Sequence, residues 1–276
     1  MLGFSNKRPL NFDILKVENI KKDKEVTSRD IYEPNSTVFK ETGLFSTKIF
    51  GEISTAERMT RFGYIDLGVD IIHPLIFRTL FKMSSLYRGI LSGSIYVKYS
   101  EKIKNFVVVD KEEGETGIDV IIEYYDKLKH EDTGSDERAN VIKLLNRYKS
   151  SDIVLNKYLV IPAGMRDYTV TKSGKPLEDE INQLYRNLLS TSNISKEFKG
   201  IKKADEFLNS VKLRLSKNVL DIYEYIENIL EGKKGFIQGK WTRRRVTYGT
   251  RNVLTAAPIK IEDLKDEDFV TLNHTI

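Results

Sequence analysis

EDEINQLYRNLLSTSN, residues 178–193, carries the clearest periodicity in the chain. Ile181, Leu184, Tyr185, Leu188 and Leu189 fall at i, i+3, i+4, i+7 and i+8, the spacing that gathers apolar side chains on one face of an α-helix. Glu178, Asp179 and Glu180 stand where the partial positive charge of a helix N-terminus favours acids. The pattern stops at TSNISKEFKG (191–200), which predicts a break. It resumes at Phe207, Leu208, Val211 and Leu215 and continues through Val219, Ile222, Tyr223, Ile226, Ile229 and Leu230. Two apolar-faced helices around a short break predict an antiparallel helical hairpin.

Toward the N-terminus the period changes from helix to strand. YIDLGVDII (64–72), SIYVKY (94–99), FVVVD (106–110) and YLVIP (158–162) read as strands. Between the first two, PLIFRTLFKMSSLYRGI (74–90) has helical spacing, with Pro74 suited to a first helical turn. Residues 118–130 and 137–149 read as two short helices joined by the turn-rich EDTGSD. Residues 1–62 are mixed and loop-rich, and 163–179 read as a polar loop. The expected class is α+β, with a β-rich N-terminal base. A length of 276 residues suits one or two domains.

Toward the C-terminus the chain becomes basic. Residues 232–261 hold Lys233, Lys234, Lys240, Arg243, Arg244, Arg245, Arg251 and Lys260 without one Asp or Glu. These eight charges exceed the net charge of +5, so the rest of the chain is net acidic. One basic stripe on an acidic body is either a solvated loop or a local phosphate-binding surface. Gly232, Gly235 and Gly239 allow close backbone approach and positive φ. Trp241 and Tyr248 add faces on which bases or sugars can stack. RVTYGTRNVLTAAP (245–258) alternates like a strand leaving this loop, and residues 262–268 form an acidic segment.

Much chemistry is missing. Cysteine is absent, which excludes disulfides and Cys-ligated zinc or iron–sulfur centres. His73, His130 and His274 lie far apart, without ligand spacing. No P-loop, G-x-G-x-x-G, G-x-S-x-G or H-E-x-x-H occurs. There is no apolar run of membrane-spanning length and no leader-like N-terminus, so a cytoplasmic setting is expected. By itself the chain does not read as an enzyme, and its expected metal ligands are none.

The basic stretch resembles a segment of the largest (β′-type) subunit of multisubunit DNA-directed RNA polymerases. The match runs over 27 positions without a gap. Gly232, Lys233, Gly235, Arg245, Val246, Tyr248, Arg251, Val253 and Pro258 are identical to it, and Arg244 replaces a lysine. Gln238 stands where the family has an arginine, and Gly249 and Thr250 replace Ser-Gly. Four further blocks are similar and in the right order: GLFSTKIFG (43–51), RFGYIDLGVDIIHPLIF (61–77), YLVIPAGMRDYTV (158–170) and EDEINQLYRNLLSTSN (178–193). Only about ten residues separate the first two, where cellular relatives carry a four-cysteine zinc ribbon. The family's Mg²⁺-binding aspartate motif is not in this chain. A divided β′ without zinc is most similar to the polymerases of giant bacteriophages.

The resemblance implies an architecture and a set of roles. Residues 1–162 would form a clamp base with its ribbon deleted, 163–179 a lid-like loop, 180–231 clamp helices projecting from the base, and 232–276 a switch segment returning to it and the start of the active-site core. Lys233, Lys234, Lys240, Arg243, Arg244, Arg245, Tyr248 and Arg251 would hold template DNA. Arg166, Lys172 and Lys175 would serve the lid, which parts RNA from template. Tyr185, Arg186 and Asn193 would dock a σ-like promoter-specificity factor. The implied partners are the remaining β′- and β-like chains, that factor, template DNA and the RNA–DNA hybrid, with no membrane. Mg²⁺ would belong to the assembled enzyme, and no zinc is expected in this chain. The competing class is a free-standing nucleic-acid-binding or σ-sequestering regulator built on the same module.

Overall fold

The computed structural model describes residues 24–166, 168–170, 176–198, 205–242 and 248–249. Its elements, in chain order, are β1 (Lys24–Glu25), α1 (Thr47–Phe50), α2 (Ala56–Thr60), β2 (Gly63–Ile72), α3 (Pro74–Met83), α4 (Ser85–Ser92), β3 (Tyr96–Ser100) and β4 (Asn105–Val109). These are followed by α5 (Ile118–Tyr124), α6 (Asp136–Arg147), α7 (Ser150–Ile153), β5 (Val154–Val160), β6 (Tyr168–Val170), β7 (Pro176–Glu178), α8 (Glu180–Phe198) and α9 (Asp205–Leu230). The chain is α+β. It divides after Ile226 into two units, and both of its hydrophobic clusters lie in the first. No described helix is long and apolar enough to cross a membrane.

β2 organises the first unit. It pairs with β1 in parallel and with β5 antiparallel, from Gly63 opposite Val160 to Ile72 opposite Val154. Its alternation buries Ile65 and Leu67 and leaves Tyr64 and Asp66 half-buried. The register slips between Asp66 and Ile71. Gly68 sits in this bulge at φ +75°, where an L side chain is strained, and its N–H donates to Asp66 Oδ1 at 2.9 Å. After the bulge Ile71 faces one core and Ile72 the other.

Local chemistry sets the helix boundaries. His73 caps α3, its Nδ1 accepting from Leu75 N–H at 3.3 Å, with Pro74 in the first turn. Acting as an acceptor requires the neutral ring, and burial pulls its pKa down to about 4. The single helix expected over 74–90 is two: Ser84 is extended, and its hydroxyl accepts from Leu86 N–H to start α4. Gly93, left-handed at φ 75°, ends α4.

The helical hairpin is antiparallel, but it does not project. Asn218 Nδ2 donates to Asn187 O and Thr191 Oγ1, while Phe198 and Phe207 meet near the turn with ring centroids 4.6 Å apart. α8 lies on β2, and Ile181, Tyr185, Leu188 and Leu189 share a core with Ile65, Leu67, Val211, Leu215, Val219 and Ile222. α9 touches the base from Glu206, paired with Lys111 at 2.5 Å, to Glu224, 3.5 Å from Arg78. Apolar residues on more than one face of α9 reach both cores, which holds it down: Leu213 and Leu220 pack against the second cluster.

The expected break at 191 is also overturned, because α8 continues to Phe198. Its small polar residues are buried against the bulge: Ser192 Oγ donates to Asp66 O, and Thr191 Oγ1 to Asn187 O. Likewise 163–179 is more ordered than a loop, with a 3-10 turn at Ala163–Met165 and an antiparallel pairing of β6 with β7. The strand expected at 245–258 and the acidic segment 262–268 lie outside the described residues, apart from Tyr248 and Gly249.

Candidate nucleic-acid interface

The second unit presents the basic segment. Past Leu230, Gly232 turns at φ 76° and Gly235 N–H donates to Gly232 O at 3.1 Å. A Cβ on Gly235 would stand 2.0 Å from Glu231 O, so only glycine fits. Phe236–Trp241 then wind as a π-helical turn, an infrequent form with bonds five residues apart; Thr242 N–H donates to Ile237 O at 3.1 Å. The sequence did not reveal this turn, because three glycines within eight residues read as loop.

Lys233, Lys234 and Lys240 are all exposed, and their side chains make no ion pair among the described residues. Phe236 and Ile237 are half exposed, Trp241 is 70% exposed and Tyr248 is fully exposed, with φ at +64°. Phe236 and Trp241 stand five residues apart, about one π-turn. Phe236 is a residue that charge and glycine spacing alone did not single out. The turn thus offers cations without carboxylate partners beside uncovered aromatic faces, a surface that suits phosphates and unpaired bases. Arg243, Arg244, Arg245 and Arg251, expected to work with it, lie outside the described residues, as do Lys172 and Lys175 of the expected lid.

Arg166 is not a lid contact. It is 2% exposed. Its Nη2 donates to Leu44 O at 2.6 Å, Nη1 to Asn182 Oδ1 at 2.7 Å and Nε to Ile161 O at 3.1 Å. The guanidinium carbon lies 5.1 Å from the ring centre of Phe50, 5.2 Å from that of Phe45 and 5.7 Å from that of Tyr185. Burial lowers its pKa to about 10, which leaves it charged at neutral pH. A forked donor set satisfied by neutral oxygens and cushioned by π-faces explains why a cation can sit there. Arg58 repeats the device nearby, donating to Gly51 O at 3.0 Å and lying 5.5 Å from the Phe39 ring centre.

Tyr185 is not a docking contact either. It is completely buried, and its hydroxyl accepts from Ile161 N–H at 3.2 Å and donates to Leu159 O at 3.3 Å. The helical stripe that marked it is core, as an i, i+4 stripe most often is. The other two expected docking residues reach the surface while holding internal partners. Arg186 pairs with Glu178 through both terminal nitrogens, and Asn193 Nδ2 donates to Thr27 O at 3.4 Å. Arg186 also lines a shallow groove with Arg29, Tyr32, Gln183, Asn187 and Ser190.

Three blocks meet at Arg166, the first more than a hundred residues before the other two: Leu44, Phe45 and Phe50 from 43–51, Ile161 and Arg166 from 158–170, and Asn182 and Tyr185 from 178–193. The fourth, 61–77, runs through β2 into the same core. Compared with known proteins, the chain matches no protein-family model and no curated protein.

Proposed function

We propose that this chain is the N-terminal, non-catalytic part of a β′-like subunit of a DNA-directed RNA polymerase, with its nucleic-acid contact in the basic segment after α9. The observation that carries the reading is the meeting at Arg166 of blocks chosen for their similarity to one family. The long-range bond from Arg166 to Leu44 joins the first of these blocks to the two later ones. The exposed lysines and aromatic side chains of 233–241 are the second support, since a turn of this kind suits single-stranded nucleic acid.

In this reading residues 1–162 are the clamp base, α8 and α9 the clamp helices laid against it, and 232–276 the switch segment, holding template DNA and the RNA–DNA hybrid, and the start of the active-site core. The groove beside Arg186 is where a σ-like specificity factor would dock. Catalytic Mg²⁺ would be held by another chain. A free-standing nucleic-acid-binding regulator is the second reading, favoured by one observation: residues 24–226 close two hydrophobic cores without a partner.

Co-purification separates the two. The chain, tagged in its native setting, is expected to bring down β-like chains, a chain bearing the metal-binding aspartates, and transcription activity. Recovery of the chain by itself, or with host polymerase only, would overturn the first reading in favour of the second.

A further inference from the structure

β3 and β4 pair only with each other among the named strands, and the far edge of β4 is open. Val97 on β3 spends both its N–H and its C=O on Glu115, at 2.8 and 3.0 Å. In an antiparallel ladder the two groups of one residue point to the same side, and the side alternates along the strand. Val108, which stands opposite Val97, therefore turns its N–H and C=O away from β3, toward the open edge. Phe106 does the same, and its N–H is capped there by Asn105 Oδ1 at 2.8 Å. Lys129 N–H closes the edge at Lys104 O, at 2.8 Å. Four outward groups keep no partner among the described residues: the N–H and C=O of Val108, the C=O of Phe106 and the N–H of Asp110.

Exposed edges are usually blunted by a charge, a proline or a bulge. Residues 106–109, Phe-Val-Val-Val, carry no charge and no proline, and their register with β3 is unbroken. Val107 is 44% exposed and Val108 60% exposed. The charges lie at the two ends and differ in sign. One end has Lys102 and Lys104 against Glu101, with Lys129 beside them; the other has Asp110, Glu112 and Glu113, while Lys111 is paired with Glu206. Such a strand complements a copy of itself turned antiparallel.

We infer that the open edge of β4 pairs with the same edge of a second copy of this chain across a two-fold axis. Val108 faces Val108 of the second copy and exchanges two hydrogen bonds with it. Asp110 N–H of each copy donates to Phe106 O of the other, so no existing bond is broken. Val107 lies opposite Val109, and Lys104 opposite Glu112, twice over by symmetry. The contact is small, so the dimer is weak and forms with rising concentration. The inference does not rest on the polymerase reading, because β3 and β4 lie in none of the blocks that carry it.

Sedimentation equilibrium of the full chain, up to about 100 μM, tests it. A reversible monomer–dimer equilibrium is expected. Val108→Pro should abolish it while sparing the ladder with β3, since the lost N–H faces the open edge. Lys104→Glu should weaken the dimer by about fivefold or more, and adding Glu112→Lys should restore it. The chain has no cysteine, so Val108→Cys reads the register directly. Its two copies would lie about 5.5 Å apart at Cα, within disulfide reach, and should cross-link on oxidation. Val107→Cys, which faces a valine, should not. A monomer at every concentration, or open-ended aggregation in place of a dimer, would overturn the inference. So would a dimer that survives Val108→Pro, a charge swap that fails to restore it, or cross-linking by Val107→Cys equal to that by Val108→Cys.

Discussion

Arg166 Nη2 donates to the carbonyl of Leu44 at 2.6 Å, a bond that spans 122 residues of chain. It ties the segment before α1 to the end of β5, while the same guanidinium holds the start of α8 through Asn182.

Arg166→Met should therefore act on the whole first unit. It leaves the carbonyls of Leu44 and Ile161 and the amide of Asn182 buried without their donor, at a cost of about 3 kcal/mol or more. Arg166→Lys should recover little, because an ammonium cannot span three acceptors in a fork. Urea titration measures both. An unchanged midpoint for the Met variant would show that the hub is not needed.

Tyr185→Phe isolates one hydroxyl. The loss of its bonds to Ile161 N–H and Leu159 O should cost about 1 kcal/mol, with no direct effect on docking of another protein. Under the proposed polymerase function, Arg186→Ala should do the converse, weakening recruitment of the specificity factor, since its side chain reaches the surface. Stability is read by urea midpoint and recruitment by pull-down. Lost recruitment in a stable Tyr185→Phe chain would contradict this division.

Acid should destabilise the fold through its histidines. His73 and His130 have folded pKa values near 4, below the ordinary value of 6.5, chiefly because both are buried. Between these values the unfolded chain binds more protons than the folded one, so their stabilisation is complete above about pH 6.5 and is lost as pH falls toward 4. His73→Asn, which keeps an N-cap acceptor, should flatten the dependence. The check is the urea midpoint from pH 7 to pH 4; a flat profile in the unsubstituted chain would refute it.

The basic turn should bind single strands in a salt-dependent way. Replacing Lys233, Lys234 and Lys240 with Gln should make the log–log salt slope shallower by about 0.7 for each phosphate that the chain no longer neutralises. Trp241→Ala should weaken binding by about 1–3 kcal/mol without changing that slope. Under the proposed polymerase function, Arg244→Ala with Arg245→Ala should weaken template binding and leave assembly intact. Fluorescence anisotropy with a labelled oligonucleotide reads the first two, and open-complex formation reads the third. Equal binding by all variants would remove the interface from this segment.

Elemental analysis of the purified chain is expected to find no stoichiometric zinc. A tightly bound equivalent would overturn the view that the ribbon is deleted.

Local pattern revealed β2, β3, β4, the last three residues of β5, both members of the helical hairpin and the basic segment, because each rests on alternation, spacing or charge that the sequence displays directly; the strand expected at 158–162 begins earlier, at Val154. It also placed Pro74 in a first helical turn. Tertiary packing decided the rest. The residues 191–198 are weak helix formers and read as a break. They are helical because small side chains let α8 settle onto the bulge at Gly68, where a Cβ would lie 2.9 Å from Lys196. Arg166 reads as a surface cation, since nothing near it in sequence shows that carbonyls 5 to 122 residues away will solvate it. The helix pair lies flat rather than projecting because α9 carries apolar residues on more than one face, and only the assembled cores supply partners for each.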